Sequence, residues 1–176
     1  MKRTLAFLIA AATLAAATAA FTQSFSVQLG DQQGPKQPIN FSHKTHAGKL
    51  GMNCLYCHYG ADRSPIANVP PVSTCMDCHK IAVTDRPEIQ KLTGYFERGE
   101  QVPWLAVHWL PDHVKFNHKR HVRAGTTCQE CHGPVQEMDR VYQYSSLKMG
   151  WCLTCHRQKM NDPVNPATMD CVACHH

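Results

Sequence analysis

The hydrophobic pattern separates an uncharged N-terminal run from a longer remainder. Residues 4–30 carry no charge, and Lys2 and Arg3 precede them. A basic start followed by an apolar run predicts an export signal, and about 20 residues suffice to cross a bilayer. We expect residues 1–30 to form a retained transmembrane anchor with its basic end in the cytoplasm. Cleavage near the small-residue triplet at residues 17–19 is the alternative.

The remainder, residues 31–176, is short enough to form one domain. The chain contains 11 prolines, and prolines interrupt the hydrogen bonding of a sheet. The predicted fold is therefore mostly irregular, with short α-helices separated by long stretches without regular structure.

Five copies of the pattern Cys-x-x-Cys-His indicate the chemistry of this domain. Two cysteines three positions apart on a helical turn present their sulfurs along one edge of a planar ring, and the following histidine lies over its face. This is the attachment pattern of a c-type haem, with two thiols for the vinyl groups and a histidine for the iron. The copies use every cysteine of the chain: Cys54, Cys57 and His58; Cys75, Cys78 and His79; Cys128, Cys131 and His132; Cys152, Cys155 and His156; Cys171, Cys174 and His175.

Zinc and disulfides are the competing interpretations of so many cysteines. A structural zinc site takes four ligands from two paired clusters and does not require a histidine after every cysteine pair. An exported protein can form disulfides, but five identical units fit that interpretation poorly. We therefore expect five c-type haems with their irons. Their porphyrins should form much of the core, and the chain should be unfolded without them.

A duplicated unit precedes the first and third motifs. The unit is Phe-x-His-x-x-His, and it occurs at residues 41–46 and 116–121. Two histidines on one helical turn point in different directions, which suits the binding of two different haems, one on each side. Residues 41–79 and 116–156 are therefore predicted as two dihaem units, with the fifth haem at about residues 160–176.

Five irons need five further ligands, and seven histidines lie outside the motifs. The predicted distal ligands are the four histidines of the duplicated unit and one in a Trp-flanked stretch between the halves: His43, His46, His108, His118 and His121. His113 is interpreted as a solvated residue, and the terminal His176 is a weaker candidate. Met138 and Met149 are the alternative ligands, and a methionine raises the potential above that of a bis-histidine haem.

The formal charge of +5 does not indicate nucleic-acid binding. Lys2 and Arg3 belong to the leader, and every haem adds propionates. The protein with its haems is therefore expected to be near neutral or mildly acidic, and no other feature supports a nucleic-acid partner.

The duplicated unit resembles the class III multihaem cytochromes c. A more specific resemblance rests on residues 102–118 (VPWLAVHWLPDHVKFNH), followed by residues 133–138 and 149–152. With the haem count, the motif order and the N-terminal run, these residues are similar to the pentahaem subunit of bacterial alternative complex III, a quinol:electron-acceptor oxidoreductase. The resemblance implies a haem-packed class III fold and the same five distal histidines, although one haem in such proteins can use methionine.

The predicted function is electron transfer without catalysis in this chain. Spare ligands outnumber the irons, whereas catalysis at iron needs a vacant or displaceable sixth position. We expect a subunit at the bacterial inner membrane with its haem domain on the periplasmic side. Its partners would be quinol-oxidising and iron–sulfur subunits of a respiratory complex, with a soluble cytochrome or terminal oxidase as acceptor. The alternatives are a subunit of a molybdopterin-type respiratory reductase, a free periplasmic carrier or haem store, and a multihaem reductase of nitrite or a sulfur oxyanion.

Overall fold

The computed structural model describes residues 34–175. Its α-helices are short and number six in this part of the chain: α1 (Cys54–Cys57), α2 (Val72–His79), α3 (Pro87–Glu97), α4 (His118–Arg123), α5 (Cys128–His132) and α6 (Met149–Lys159). The other regular elements there are a π-helical turn and two 3₁₀ turns: Lys44–Lys49, Val135–Glu137 and Cys171–Ala173. The described residues contain no β-strand. The prediction of a mostly irregular fold with short helices is therefore confirmed.

The predicted membrane anchor at residues 1–30 lies outside the described residues. Within residues 34–175, no helix is both long enough and apolar enough to cross a membrane. The anchor therefore stays a prediction from the sequence.

In three motifs, the residue directly before the first cysteine of that motif is polar and caps the turn that carries the motif. Asn53 caps α1, because its side-chain oxygen accepts the amide N–H two residues on at 2.8 Å. Asp170 caps the last 3₁₀ turn in the same way at 3.2 Å. Before α5, the Glu130 carboxylate accepts the backbone N–H of Thr127 at 2.8 Å. Such caps satisfy amide groups that lack a partner at a helix start, so turns as short as these motifs can form.

A small apolar cluster surrounds α2 and supports the second motif. Its buried side chains come from α2, α3 and two neighbouring segments: Ile39, Val72, Met76, Leu92 and Val102. Cys75 of the second motif packs against this cluster. Burying a side chain the size of leucine contributes roughly 1.5–3 kcal/mol. The packing of α3 on α2 therefore stabilises the helix that carries the second pair of cysteines.

The two predicted dihaem units, residues 41–79 and 116–156, hold each other reciprocally. The π-helical turn before the first motif contacts the segment after the third motif, where the Lys44 N–H donates to the Met138 carbonyl at 3.0 Å. In the opposite sense, α4 before the third motif contacts the segment after the first motif. There the His118 N–H donates to the Pro65 carbonyl at 3.1 Å. Each turn that carries predicted ligands is therefore anchored by the other dihaem unit.

Candidate haem-binding site

In the first copy of the duplicated unit, two histidines face the histidines of two different motifs. The ring of His43 lies parallel to that of His58, with centroids 6.4 Å apart and planes at 3°. The ring of His46 faces that of His79, with centroids 6.1 Å apart and planes at 68°. One turn of chain therefore presents ligands towards both the first and the second motif.

The second copy repeats this arrangement with the third and fourth motifs. His118 lies parallel to His132, with centroids 6.4 Å apart and planes at 6°. His121 faces His156 at 6.0 Å and 46°. In both copies the first pair is parallel and the second pair is tilted. The sequence repeat is thus also a repeat of geometry.

The phenylalanine of each unit fixes the directions of its two histidines. Phe41 stacks on His46, with centroids 4.3 Å apart and planes at 23°, and meets His43 edge-on at 4.9 Å. Phe116 makes the corresponding contacts at 4.4 and 4.8 Å. Stacked and edge-to-face contacts both stabilise aromatic pairs. The conformation of one imidazole is therefore coupled to that of the other through the ring between them.

The separation of the facing rings fits one iron between each pair. A metal–imidazole bond is about 2 Å long, and the ring centroid lies about 1.1 Å beyond the nitrogen. Two imidazoles on opposite faces of one haem iron therefore have centroids about 6.2 Å apart. The four pairs of the duplicated units span 6.0–6.4 Å. The residues present thus match the spacing that a bis-histidine haem requires.

Backbone carbonyls hold the Nδ1 atoms of most of these rings. Four motif histidines contact carbonyl oxygens: His58 with Asn68 at 2.6 Å, His79 with Ala82 at 3.1 Å, His156 with Thr168 at 2.6 Å and His175 with His113 at 3.0 Å. Three facing histidines do the same: His46 with Ser42 at 2.9 Å, His118 with Pro65 at 2.9 Å and His121 with Asn117 at 2.8 Å. A carbonyl can only accept, so the Nδ1 of each ring carries the proton and its Nε2 is left for a metal.

His113 and His108 have positions that differ from the sequence prediction. His113 faces His175 of the fifth motif, with centroids 5.7 Å apart and planes at 17°. His108, a predicted distal ligand, instead lies edge-on to His132 at 4.3 Å and 83°. That separation is too short to hold an iron between the two rings. The sequence does not mark His113 as a ligand, because His113 lies 62 positions from His175. It also lies three residues before Phe116, and the corresponding position before Phe41 is Pro38, so the repeat does not include it. The excess of spare histidines was the one available signal.

The methionines proposed as alternative ligands are not needed by this geometry. Met149 at the start of α6 is 61% exposed, whereas Met138 is 6% exposed and buried. The four pairs of the duplicated units already present two imidazoles at the spacing of one iron, and His113 faces His175 at a slightly shorter 5.7 Å. His176, the other weaker candidate, lies outside the described residues.

Burial keeps several of these imidazoles in the neutral form that metals bind. Burial, with the nearby charges of His58 and His46, lowers the pKa of His43 to about 4. Burial likewise lowers the pKa of His132 to about 4, with His108 as the next cause. The pKa of His108 is lowered by burial and by the charge of His118. Since a buried imidazolium is costly, these side chains are neutral at neutral pH.

None of the ten cysteines forms a disulfide, and cysteines of neighbouring motifs lie close together. Burial raises the pKa of four thiols, and a cysteine of another motif raises it further: Cys75 (with Cys57), Cys128 (with Cys54), Cys131 (with Cys155 and Cys152) and Cys152 (with Cys174). The contacts link the first motif to the second and third, the third to the fourth, and the fourth to the fifth.

Comparison with known proteins agrees with this geometry. Residues 114–176 match a family model described as "Cytochrome c7 and related cytochrome c". The chain is also 29% identical over 161 residues to the "Menaquinone reductase, multiheme cytochrome c subunit" of Nitratidesulfovibrio vulgaris, across 80% of this chain and 77% of that protein. These matches confirm the multihaem cytochrome c fold and c-type haem iron as the cofactor. The narrower resemblance to alternative complex III stays a prediction.

Proposed function

We propose that this chain is an electron-transfer subunit with five covalently bound c-type haems, each iron closed by two histidines. The observation that carries this proposal is the set of five facing ring pairs, one for every Cys-x-x-Cys-His motif. With haems 1 to 5 numbered by motif, the pairs are His58 and His43, His79 and His46, His132 and His118, His156 and His121, and His175 and His113. The assignment of His113 replaces that of His108.

Closed coordination favours conduction over catalysis. Haem iron supplies one-electron redox chemistry, and a substrate can react at it only through an open position. The chain supplies two imidazoles to each iron position, and carbonyls fix the tautomer of most of them. Rings held in this way need little rearrangement when an electron arrives. The described residues therefore orient two ligands for each iron and leave none of these five iron positions open to a substrate.

The contacts between motifs order the haems as a single path, 2–1–3–4–5. The turn at residues 43–46 joins haems 1 and 2, and α4 joins haems 3 and 4. Cys54 of the first motif and Cys128 of the third are neighbours, and their proximity joins haems 1 and 3. Thr168, three residues before the fifth motif, accepts the Nδ1 hydrogen bond of His156 and thereby joins haems 4 and 5. Haems 2 and 5 are then the two ends of the path.

The partner we propose is a membrane complex that exchanges electrons with quinone. Quinol-oxidising and iron–sulfur subunits would supply electrons, and a periplasmic cytochrome or terminal oxidase would receive them. Residues 1–30 would anchor the chain in the inner membrane, with the haems on the periplasmic side. The relative's name, a menaquinone reductase subunit, favours a second possibility in which electrons flow towards the quinone.

Haem content and electron flow test the proposal. Intact mass spectrometry of the full chain from its native host is expected to show five thioether-linked haems. Stopped-flow mixing should then show that all five haems exchange electrons with the native membrane complex. Reduction by menaquinol indicates quinol oxidation, whereas oxidation by menaquinone indicates the reverse direction. Fewer than five haems, or turnover of nitrite or sulfite by the chain alone, would overturn the proposal.

Purification in mild detergent tests the partner. Co-migration with iron–sulfur and quinone-binding subunits is the expected result. Recovery of the chain as a free soluble monomer from gently solubilised membranes would contradict the membrane-complex assignment and support a free carrier.

The haem order has its own test in a variant that lacks one end of the path. Replacing both cysteines of the fifth motif by serine (Cys171→Ser with Cys174→Ser) removes haem 5 and should leave four low-spin haems that still equilibrate electrons. The matched variant, Cys54→Ser with Cys57→Ser, removes haem 1 and should isolate haem 2 from the rest. Equal effects of the two variants on equilibration would contradict the order.

A further inference from the structure

His108 is the one described histidine outside the motifs that faces no motif histidine across an iron position. It lies between Trp104 and Trp109 in the segment that connects the two halves. Its Nε2 is 3.1 Å from Nδ1 of His132, and the two rings are nearly perpendicular, at 83°. His132 meets its facing partner His118 on the other side, at 6.4 Å. His108 therefore contacts the back of a haem ligand and not the haem position.

The direction of this hydrogen bond follows from the role of His132. When Nε2 of His132 binds iron, the proton of its neutral imidazole is on Nδ1, and that N–H donates. His108 accepts it through Nε2 and so carries its own proton on Nδ1. The contact thus selects one tautomer of each ring and one orientation of the His132 plane.

This contact distinguishes haem 3 from the other four haems. The motif histidines of haems 1, 2, 4 and 5 donate to backbone carbonyl oxygens. Only His132 of the described motif histidines has an imidazole nitrogen as its acceptor. Imidazole nitrogen is a stronger base than an amide oxygen, so it draws the Nδ1 proton further from His132. The ligand becomes more electron-rich, and a more electron-rich ligand favours ferric over ferrous iron.

We propose that His108 is a positioning residue for haem 3, which orients His132 and lowers the potential of that haem relative to one with a carbonyl acceptor. This inference rests on the proposed assignment of His132 and His118 to haem 3. Haem 3 lies in the middle of the proposed path. His108 would therefore tune the reduction potential of the haem through which electrons pass between haems 1 and 4.

Replacement of His108 by residues that weaken or remove the acceptor tests this inference. His108→Phe keeps the ring but removes the acceptor, and His108→Gln offers an amide oxygen like the acceptors of the other haems. In His108→Phe, one of five potentials is expected to rise by about 59 mV, a tenfold change in the ferric-to-ferrous ratio at fixed potential. His108→Gln should move the same component in the same direction by less. Leu105→Ala, an exposed change in the same segment, is the matched control and should leave all five in place.

Spectroelectrochemical titration of the full chain with its haems gives the potentials, and electron paramagnetic resonance of the same samples gives the spin states. All five haems should stay low-spin in every variant, with altered g-values for one haem in His108→Phe. If His108→Phe fails to assemble, His108→Gln still decides, since an unchanged or lowered potential overturns the inference. A high-spin haem in either variant would show that His108 is an axial ligand. Fewer than five low-spin haems in the wild type would instead mark failure of the proposed function.

Discussion

Replacement of His113 by alanine tests whether His113, as its position in the structure indicates, or His108, as the sequence predicts, is a distal haem ligand. The His113 ring faces that of His175 at 5.7 Å and 17°. The Nδ1–H of His175 donates to the backbone carbonyl of His113 at 3.0 Å, and an alanine keeps that carbonyl. The His113→Ala change therefore removes one axial ligand and leaves the proximal ligand held as before.

The size of the expected effect follows from the number of facing pairs. One pair of five loses one imidazole, so one-fifth of the iron should become high-spin and four-fifths should stay low-spin. Carbon monoxide should bind to the reduced variant at one molecule per chain. The haem count should remain five, because Cys171 and Cys174 still attach haem 5.

Spin quantitation by electron paramagnetic resonance and a carbon monoxide titration measure both numbers. His108→Ala is the matched control, since it removes a histidine from the same segment and should bind no carbon monoxide. A fully low-spin His113→Ala protein, together with one carbon monoxide per chain in His108→Ala, would refute the geometric reasoning. That outcome would restore the assignment of His108 as a distal ligand.

Three further predictions concern the scaffold, each measured by guanidinium unfolding of the protein with its haems. A Cβ on Gly48 would meet the Gln136 carbonyl oxygen, so Gly48→Ala should lower the free energy of unfolding by about 1–3 kcal/mol. Gly150 in α6 has open space, so Gly150→Ala is the control and should stabilise by about 0.4–1 kcal/mol; equal effects would contradict the contact. Leu92→Ala should cost about 2–5 kcal/mol, because Leu92 is 5% exposed in the cluster that supports α2; a smaller loss would mean that α3 does not brace the second motif. Asn117 caps α4 through a 3.2 Å bond, so Asn117→Ala should cost about 1 kcal/mol, and no loss would exclude the cap.

Local chemistry could be predicted from the sequence because it depends on short spacings. The five motifs and the Phe-x-His-x-x-His units each span only a few residues and can be recognised in the sequence. The structure places two histidines of one turn towards two motifs, as their helical spacing suggests. The role of Phe41 as a ring between the two imidazoles was not foreseen, although its position in the repeat was a signal. Short motif turns were likewise predictable, and their caps explain how they begin.

Contacts between distant segments could not be predicted. The pairing of His113 with His175 spans 62 positions, and no repeat marks it. His108 and His132 are 24 positions apart, and a spare histidine beside a haem motif can equally be an axial ligand or its hydrogen-bond partner. The proposed order 2–1–3–4–5 depends on the reciprocal packing of the two predicted dihaem units, which places the first motif beside the third. Such packing is decided by the whole chain and leaves no local pattern.

Near-infrared magnetic circular dichroism of the oxidised wild-type protein, combined with spin quantitation, measures whether each haem iron is held by two histidines. The position of the charge-transfer band distinguishes bis-histidine from histidine–methionine coordination, and its intensity counts the haems. The bis-histidine assignment predicts five bis-histidine low-spin haems per chain, with no change on addition of cyanide, nitrite or, after reduction, carbon monoxide. A histidine–methionine band, or a high-spin haem that binds one of these ligands, would contradict it.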